Sequence, residues 1–114
     1  MKKELRNKAR IERQEKMIKV TDNWHPNYSN EYIKVFLIFV PAYGNKKHGT
    51  YHNSYLCLGA WGADDYGLNK YYSFTGNETK EETNKIRYKW EKEYKSIPDG
   101  VNKEWFITRG FTYS

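Results

Sequence analysis

Hydrophobic and polar positions along this chain repeat with two different periods, and the changeover divides it. Glu31 to Val40 (EYIKVFLIFV) is β-branched and aromatic at its centre and apolar on both faces from Val35 onward. That pattern predicts a strand buried on both sides and therefore central in its sheet. Pro41 ends it, and Pro41 to Gly49 (PAYGNKKHG) reads as a turn-rich connector of hairpin type. Thr50 to Trp61 predicts a second strand, with Tyr51, Asn53, Tyr55, Cys57, Gly59 and Trp61 on one face and Leu56, Leu58 and Ala60 on the other. Gly62 to Gly67 (GADDYG) is a tight loop, and Lys70 to Thr75 is a short third strand.

Beyond Gly76-Asn77 the period lengthens to that of a helix. Ile86, Trp90, Tyr94 and Ile97 form an apolar stripe able to cover one face of a sheet. Thr79 with Glu82, or Thr75 with Glu78, supplies a capping box, so the helix spans about 78–97 with its start open by one turn. Pro98-Asp99-Gly100 stops it. In the tail, Asn102 as N-cap and Gly110 past the C-cap favour a short helix, although Trp105 to Thr108 suits a strand as well. Residues 2–20 hold good helix formers and no Gly or Pro, which predicts an N-terminal helix with a thin apolar face. The expected fold is α+β: a three-stranded antiparallel sheet, one main helix packed on a face, and a basic N-terminal helix. The expected organisation is a basic arm over 1–22 and a single small domain over 23–114.

Charge sharpens that division. The first twenty residues carry eight cations against three glutamates, a net +5, whereas the total is +6 and the other 94 residues are nearly neutral. The pI of about 9.3 therefore describes a basic arm on a neutral body. Within the arm, Lys2, Lys3, Arg6, Arg10 and Arg13 are the candidate phosphate contacts of a nucleic-acid-binding arm. A plain solvated helix and docking on an acidic protein surface are the other readings. No Trp or Phe precedes Trp24, so a membrane-surface helix lacks the bulky apolar face it needs. The basic start is followed by no apolar stretch of signal-peptide length, and the longest apolar run, Val35 to Val40, is far too short to span a bilayer. No membrane partner is expected.

Composition adds aromatic rings and removes most chemistry. Eleven Tyr, five Phe and four Trp make 18% of the chain, more than one face of a small sheet hides. Tyr and Trp are enriched in protein interfaces and their hot spots. The candidate partner-binding residues are Trp24, Tyr43, Trp61, Asp64, Asp65 and Tyr66. In residues 50–75 the only base is Lys70, which favours a protein partner over a phosphate chain for this surface.

Cys57 is the single cysteine, so neither an intramolecular disulfide nor a multi-cysteine zinc site forms. His48 and His52 lie about 13 Å apart if the segment is extended, too far to share a metal. Asp64-Asp65 reads as turn chemistry rather than a magnesium or acid–base pair. No nucleophile elbow or phosphate loop is present, so no catalytic residue, metal site or cofactor is expected.

In size, in Lys, Asn and Tyr richness and in its lack of active-site motifs, the chain resembles the small accessory proteins of A/T-rich phages and mobile elements, among them anti-CRISPR proteins and other inhibitors of host defence. The resemblance involves no specific motif, so it assigns no residue roles. It implies a non-enzymatic, stoichiometric inhibitor of a bacterial nucleic-acid-handling or defence complex, acting in the cytoplasm of a bacterial host. The alternative is a nucleic-acid-binding protein that uses the basic arm.

Overall fold

A computed structural model describes residues 11–21, 31–62 and 67–113 of the chain. The strands are β1 (Glu12–Lys19), β2 (Tyr32–Val40), β3 (Tyr55–Trp61), β4 (Gly67–Ser73) and β5 (Thr112–Tyr113), and the helices are α1 (Lys80–Lys95) and α2 (Lys103–Ile107). The strands form one antiparallel sheet in the order β1-β2-β3-β4-β5. The three-stranded sheet expected from the sequence is thus the centre of a five-stranded one, and the element at the N-terminal edge is a strand where a basic helix was expected.

The reason for that correction lies in residues far away in sequence. Ile18 and Val20 are buried while Met17 and Lys19 are exposed, a period of two. Ile18 faces Ile33 across the β1–β2 ladder. Val20 bridges to Val101, and Lys19 is held by the Asp99 carboxylate, which accepts from its N–H at 2.8 Å, and by the Gly100 N–H, which donates to its carbonyl. The Pro98-Asp99-Gly100 turn therefore fastens the end of β1. A helix over 12–19 would forfeit this ladder and leave one edge of β2 unpaired, a tertiary gain that outweighs tenths of a kcal/mol of helix propensity.

β2 lies inside the sheet, as its two apolar faces require. The core fills one side: Ile33, Val35 and Leu37 of β2, Leu56, Leu58 and Ala60 of β3 and Leu68 of β4 meet Tyr94, Ile97, Val101, Phe106 and Phe111. α1 starts at the capping box expected of Thr79 and Glu82, with the Thr79 hydroxyl accepting from the Glu82 N–H and the Glu82 carboxylate from the Thr79 N–H. The competing Thr75–Glu78 signal is also used, but differently. Glu78 accepts from the N–H groups of Thr75 and Gly76 and so caps the turn before the helix. Those bonds hold the Glu78 carboxyl below its ordinary value, the Thr75 N–H contributing most. The tail follows its helical reading: Asn102 caps α2 through the Trp105 N–H, and Gly110 takes φ +94°, a conformation open to glycine and strained for other residues.

Candidate interaction surface

Strand register sorts the side chains onto two faces. Even-numbered residues of β1 and odd-numbered residues of β2 point toward α1; the alternate set points away. The helix side is closed by polar contacts as well as by the core. Gln14 donates to Glu91 at 3.0 Å, Arg87 pairs with Glu12 and lies 4.0 Å over the Phe39 ring, and Lys70 pairs with Glu93 while standing over Trp90 and Phe111. A cavity of about 330 Å³ remains there, lined in part by Gln14, Arg87, Tyr88 and Glu91.

The opposite face carries Arg13, Glu15 and Met17 of β1, Lys34, Phe36 and Ile38 of β2, Tyr55, Cys57 and Trp61 of β3, and Asn69 and Tyr71 of β4. Among the described residues no helix or strand lies over it. Phe36 and Trp61 pack with centroids 6.2 Å apart, Tyr55 and Tyr71 at the same separation, and the Arg13 guanidinium stands 5.0 Å over Phe36. Two glycines let these rings lie against the backbone. A Cβ at Gly59 would sit 2.2 Å from Phe36 Cζ, and one at Gly67 2.6 Å from the Trp61 ring. Between the rings runs a groove of about 330 Å³, continuous in its lining with a second hollow of about 400 Å³ bordered by Arg13, Lys34, Phe36 and Trp61. Ile11, Met17, Tyr32 and Tyr71, which all belong to this side, are each more than half exposed.

One buried polar group anchors the face. The Asn69 Oδ1 accepts from Trp61 Nε1 at 3.0 Å and from the Cys57 thiol at 3.8 Å. Indole nitrogen only donates, so this contact fixes which end of the amide faces Trp61. Among the described residues the Asn69 Nδ2 has no partner, although the residue is 2% exposed. An unmade donor of this kind costs about 1–3 kcal/mol, and the Trp61 bond is what the fold gains against it. Burial pushes the Cys57 thiol up, with the Tyr71 hydroxyl opposing in part. Cys57 is thus a thiol in the wall of the groove, not an activated nucleophile.

Three charges on the face are linked. Glu15 accepts from Lys34 at 2.9 Å and from Arg13 at 3.2 Å, and these two, Lys34 first, hold its carboxyl below the ordinary value.

Of the residues singled out from sequence, Trp61 and Arg13 fall on this face. Tyr43 does not: it stacks on His52 at 4.8 Å in the β2–β3 connection, where their backbones exchange two hydrogen bonds. Residues 50–54 are otherwise irregular, so the second strand begins at Tyr55 and not at Thr50. Trp24, Asp64, Asp65, Tyr66, Lys2, Lys3, Arg6 and Arg10 lie outside the described residues. Phe36, Ile38, Met17 and Tyr71 were missed as site residues, though the double-sided apolar pattern of β2 was a signal for the first two. Lys70, the base within residues 50–75, points to the helix side, while Arg13 and Lys34 of the open face come from β1 and β2.

Among the described residues no three His, Cys, Asp or Glu side chains come together as a metal site, and no helix is long and apolar enough to cross a membrane. Comparison of the chain with protein-family models, with characterised proteins and with solved structures gives no match.

Proposed function

We propose that this is a non-enzymatic binding protein that engages a protein partner through the open face of its sheet. The observation that carries the reading is the asymmetry of the two faces: one is covered by α1 and α2, and the other presents rings, a groove and four well-exposed apolar side chains with no described element over them. An antiparallel sheet that faces water normally alternates apolar-in and polar-out. An exposed apolar patch rimmed by polar residues marks an interaction site. Glu15, shared by Arg13 and Lys34, lowers the positive potential that a phosphate chain would need on this face, which favours a protein partner over a nucleic-acid strand.

The resemblance to phage and mobile-element accessory proteins extends this reading to a stoichiometric inhibitor of a bacterial nucleic-acid-handling or defence complex, of the anti-CRISPR type, working in the host cytoplasm. The test is affinity capture from bacterial lysate with and without nuclease, comparing the native protein with Met17→Glu and Tyr71→Glu. A partner retained after nuclease and lost with both variants supports the proposal. A partner released by nuclease supports the nucleic-acid alternative. Capture unaffected by either variant refutes this choice of surface.

A further inference from the structure

The open face ends at β1, an edge strand whose outer backbone is, among the described residues, unpaired over most of its length. The Lys19 N–H and carbonyl are taken by Asp99 and Gly100, away from β2, whereas the Val20 N–H donates inward to Glu31. Alternation then directs the N–H and C=O of Arg13, Glu15 and Met17 outward as well. Among the described residues, no backbone segment pairs with this stretch. A regular edge with free ladder groups is a template for another strand; charged side chains, proline or a bulge blunt such edges, and the five charged residues of β1 do so unless each meets an opposite charge. Among the described residues, the 97–101 segment seals the end of the edge from Lys19 to Thr21.

The charges on this edge alternate in a way that complements itself. In a two-fold antiparallel pairing, outward residues face outward residues, so the axis must pass through a single residue position. With the axis at Gln14, Ile11 faces Met17, Glu12 faces Lys16 and Arg13 faces Glu15, each of these relations occurring twice, and Gln14 faces its own copy once. Moving the axis to 12, 13, 15 or 16 brings Glu12, Arg13, Glu15 or Lys16 against itself, and like charges directly opposite are destabilising. Only the Gln14 register sets opposite charges together and matches the two apolar side chains. α1 lies mainly over β2 and β3 and reaches β1 through side chains, Gln14 to Glu91, Glu12 to Arg87 and Lys16 to Tyr94, contacts that do not occupy the outward N–H and C=O groups of β1.

We propose that β1 pairs with the β1 of a second copy of this chain, in the antiparallel register centred on Gln14, to give a continuous ten-stranded sheet. The four narrow pairs of that register supply about eight backbone hydrogen bonds. The open aromatic faces of the two copies become one surface. This does not depend on what that surface binds.

Analytical ultracentrifugation of the full chain from about 1 μM to about 1 mM covers the affinities a modest interface reaches. It should show a concentration-dependent species of twice the 13.7 kDa chain mass. Arg13→Glu and Glu15→Arg should each weaken association at least tenfold, and the double exchange should restore it, with circular dichroism confirming that each variant is folded. The register has its own readout. Gln14→Cys brings two thiols to about 4.5 Å between Cα atoms, within disulfide range, and should cross-link under mild oxidant. Glu12→Cys, whose copies would stand about 13 Å apart, should not. A native chain that stays monomeric throughout the range overturns the proposal. So do a dimer indifferent to both single reversals, which indicates the β4 edge or another surface, and equal cross-linking at positions 12 and 14.

Discussion

Replacing Ile18 by alanine removes three carbons from a side chain that is 3% exposed and faces Ile33 beneath the core. At about 0.8 kcal/mol per buried carbon the lost transfer energy is about 2.4 kcal/mol, and the residual cavity adds to it, within the usual 2–5 kcal/mol for Ile→Ala. Its neighbour Met17 is 58% exposed on the opposite face, so Met17→Ala should cost less than about 0.5 kcal/mol. Were residues 12–19 a peripheral helix, Ile18→Ala would be neutral or slightly stabilising, because alanine is the better helix former. Urea unfolding followed by tryptophan fluorescence separates the two cases. A loss of about 2.5 kcal/mol, equivalent to roughly 10 °C in melting temperature for a chain of this size, is expected for Ile18→Ala alone. Equal and small effects at positions 17 and 18 would refute the placement of β1 in the sheet.

Other outcomes follow from the open face. Gly59→Ala forces the Phe36 ring and the Asn69 amide apart and should cost about 1–3 kcal/mol in the same urea assay. Asn69→Ala removes both the Trp61 Nε1 acceptor and the unpaired Nδ2, so a red-shifted emission with a stability change under about 1 kcal/mol is expected. Glu15 and Glu78 are held below the ordinary 4.5, so what they contribute to stability is complete above that value and is lost as the pH falls through their lowered values. Carboxyl-carbon NMR titration should place both midpoints below 4.5. Cys57, buried and with its thiol pushed up, should react with a disulfide reagent only as fast as the protein opens, which hydrogen exchange measures independently.

Local signals carried much of this fold. The apolar run of β2, the Thr79–Glu82 capping box and the Asn102 cap each report on structure within a few residues of themselves, and each was readable. β1 was not, because ERQEKMIK has no strand signature of its own. Its conformation is decided by Ile33 across the ladder and by Asp99, Gly100 and Val101 some eighty positions away. β5 pairs through only two residues and depends on α2 turning the chain back to β4. The binding surface was half visible for the same reason. Its Trp61 and Tyr55 could be placed on one face from alternation alone, whereas Arg13, Met17 and Phe36 joined them only through a register that sequence spacing does not encode.

Two tyrosines distinguish the open face from the helix side as the binding surface. Tyr71 on that face is 60% exposed and Tyr88 on α1 is 64% exposed, so the two differ in position and hardly in accessibility. Affinity for the captured partner should be measured for Tyr71→Ala and Tyr88→Ala by titration calorimetry. Binding through the open face predicts a loss of at least about 2 kcal/mol, roughly 30-fold, at position 71 and a near-native affinity at position 88. The reverse pattern, or equal effects, would contradict it.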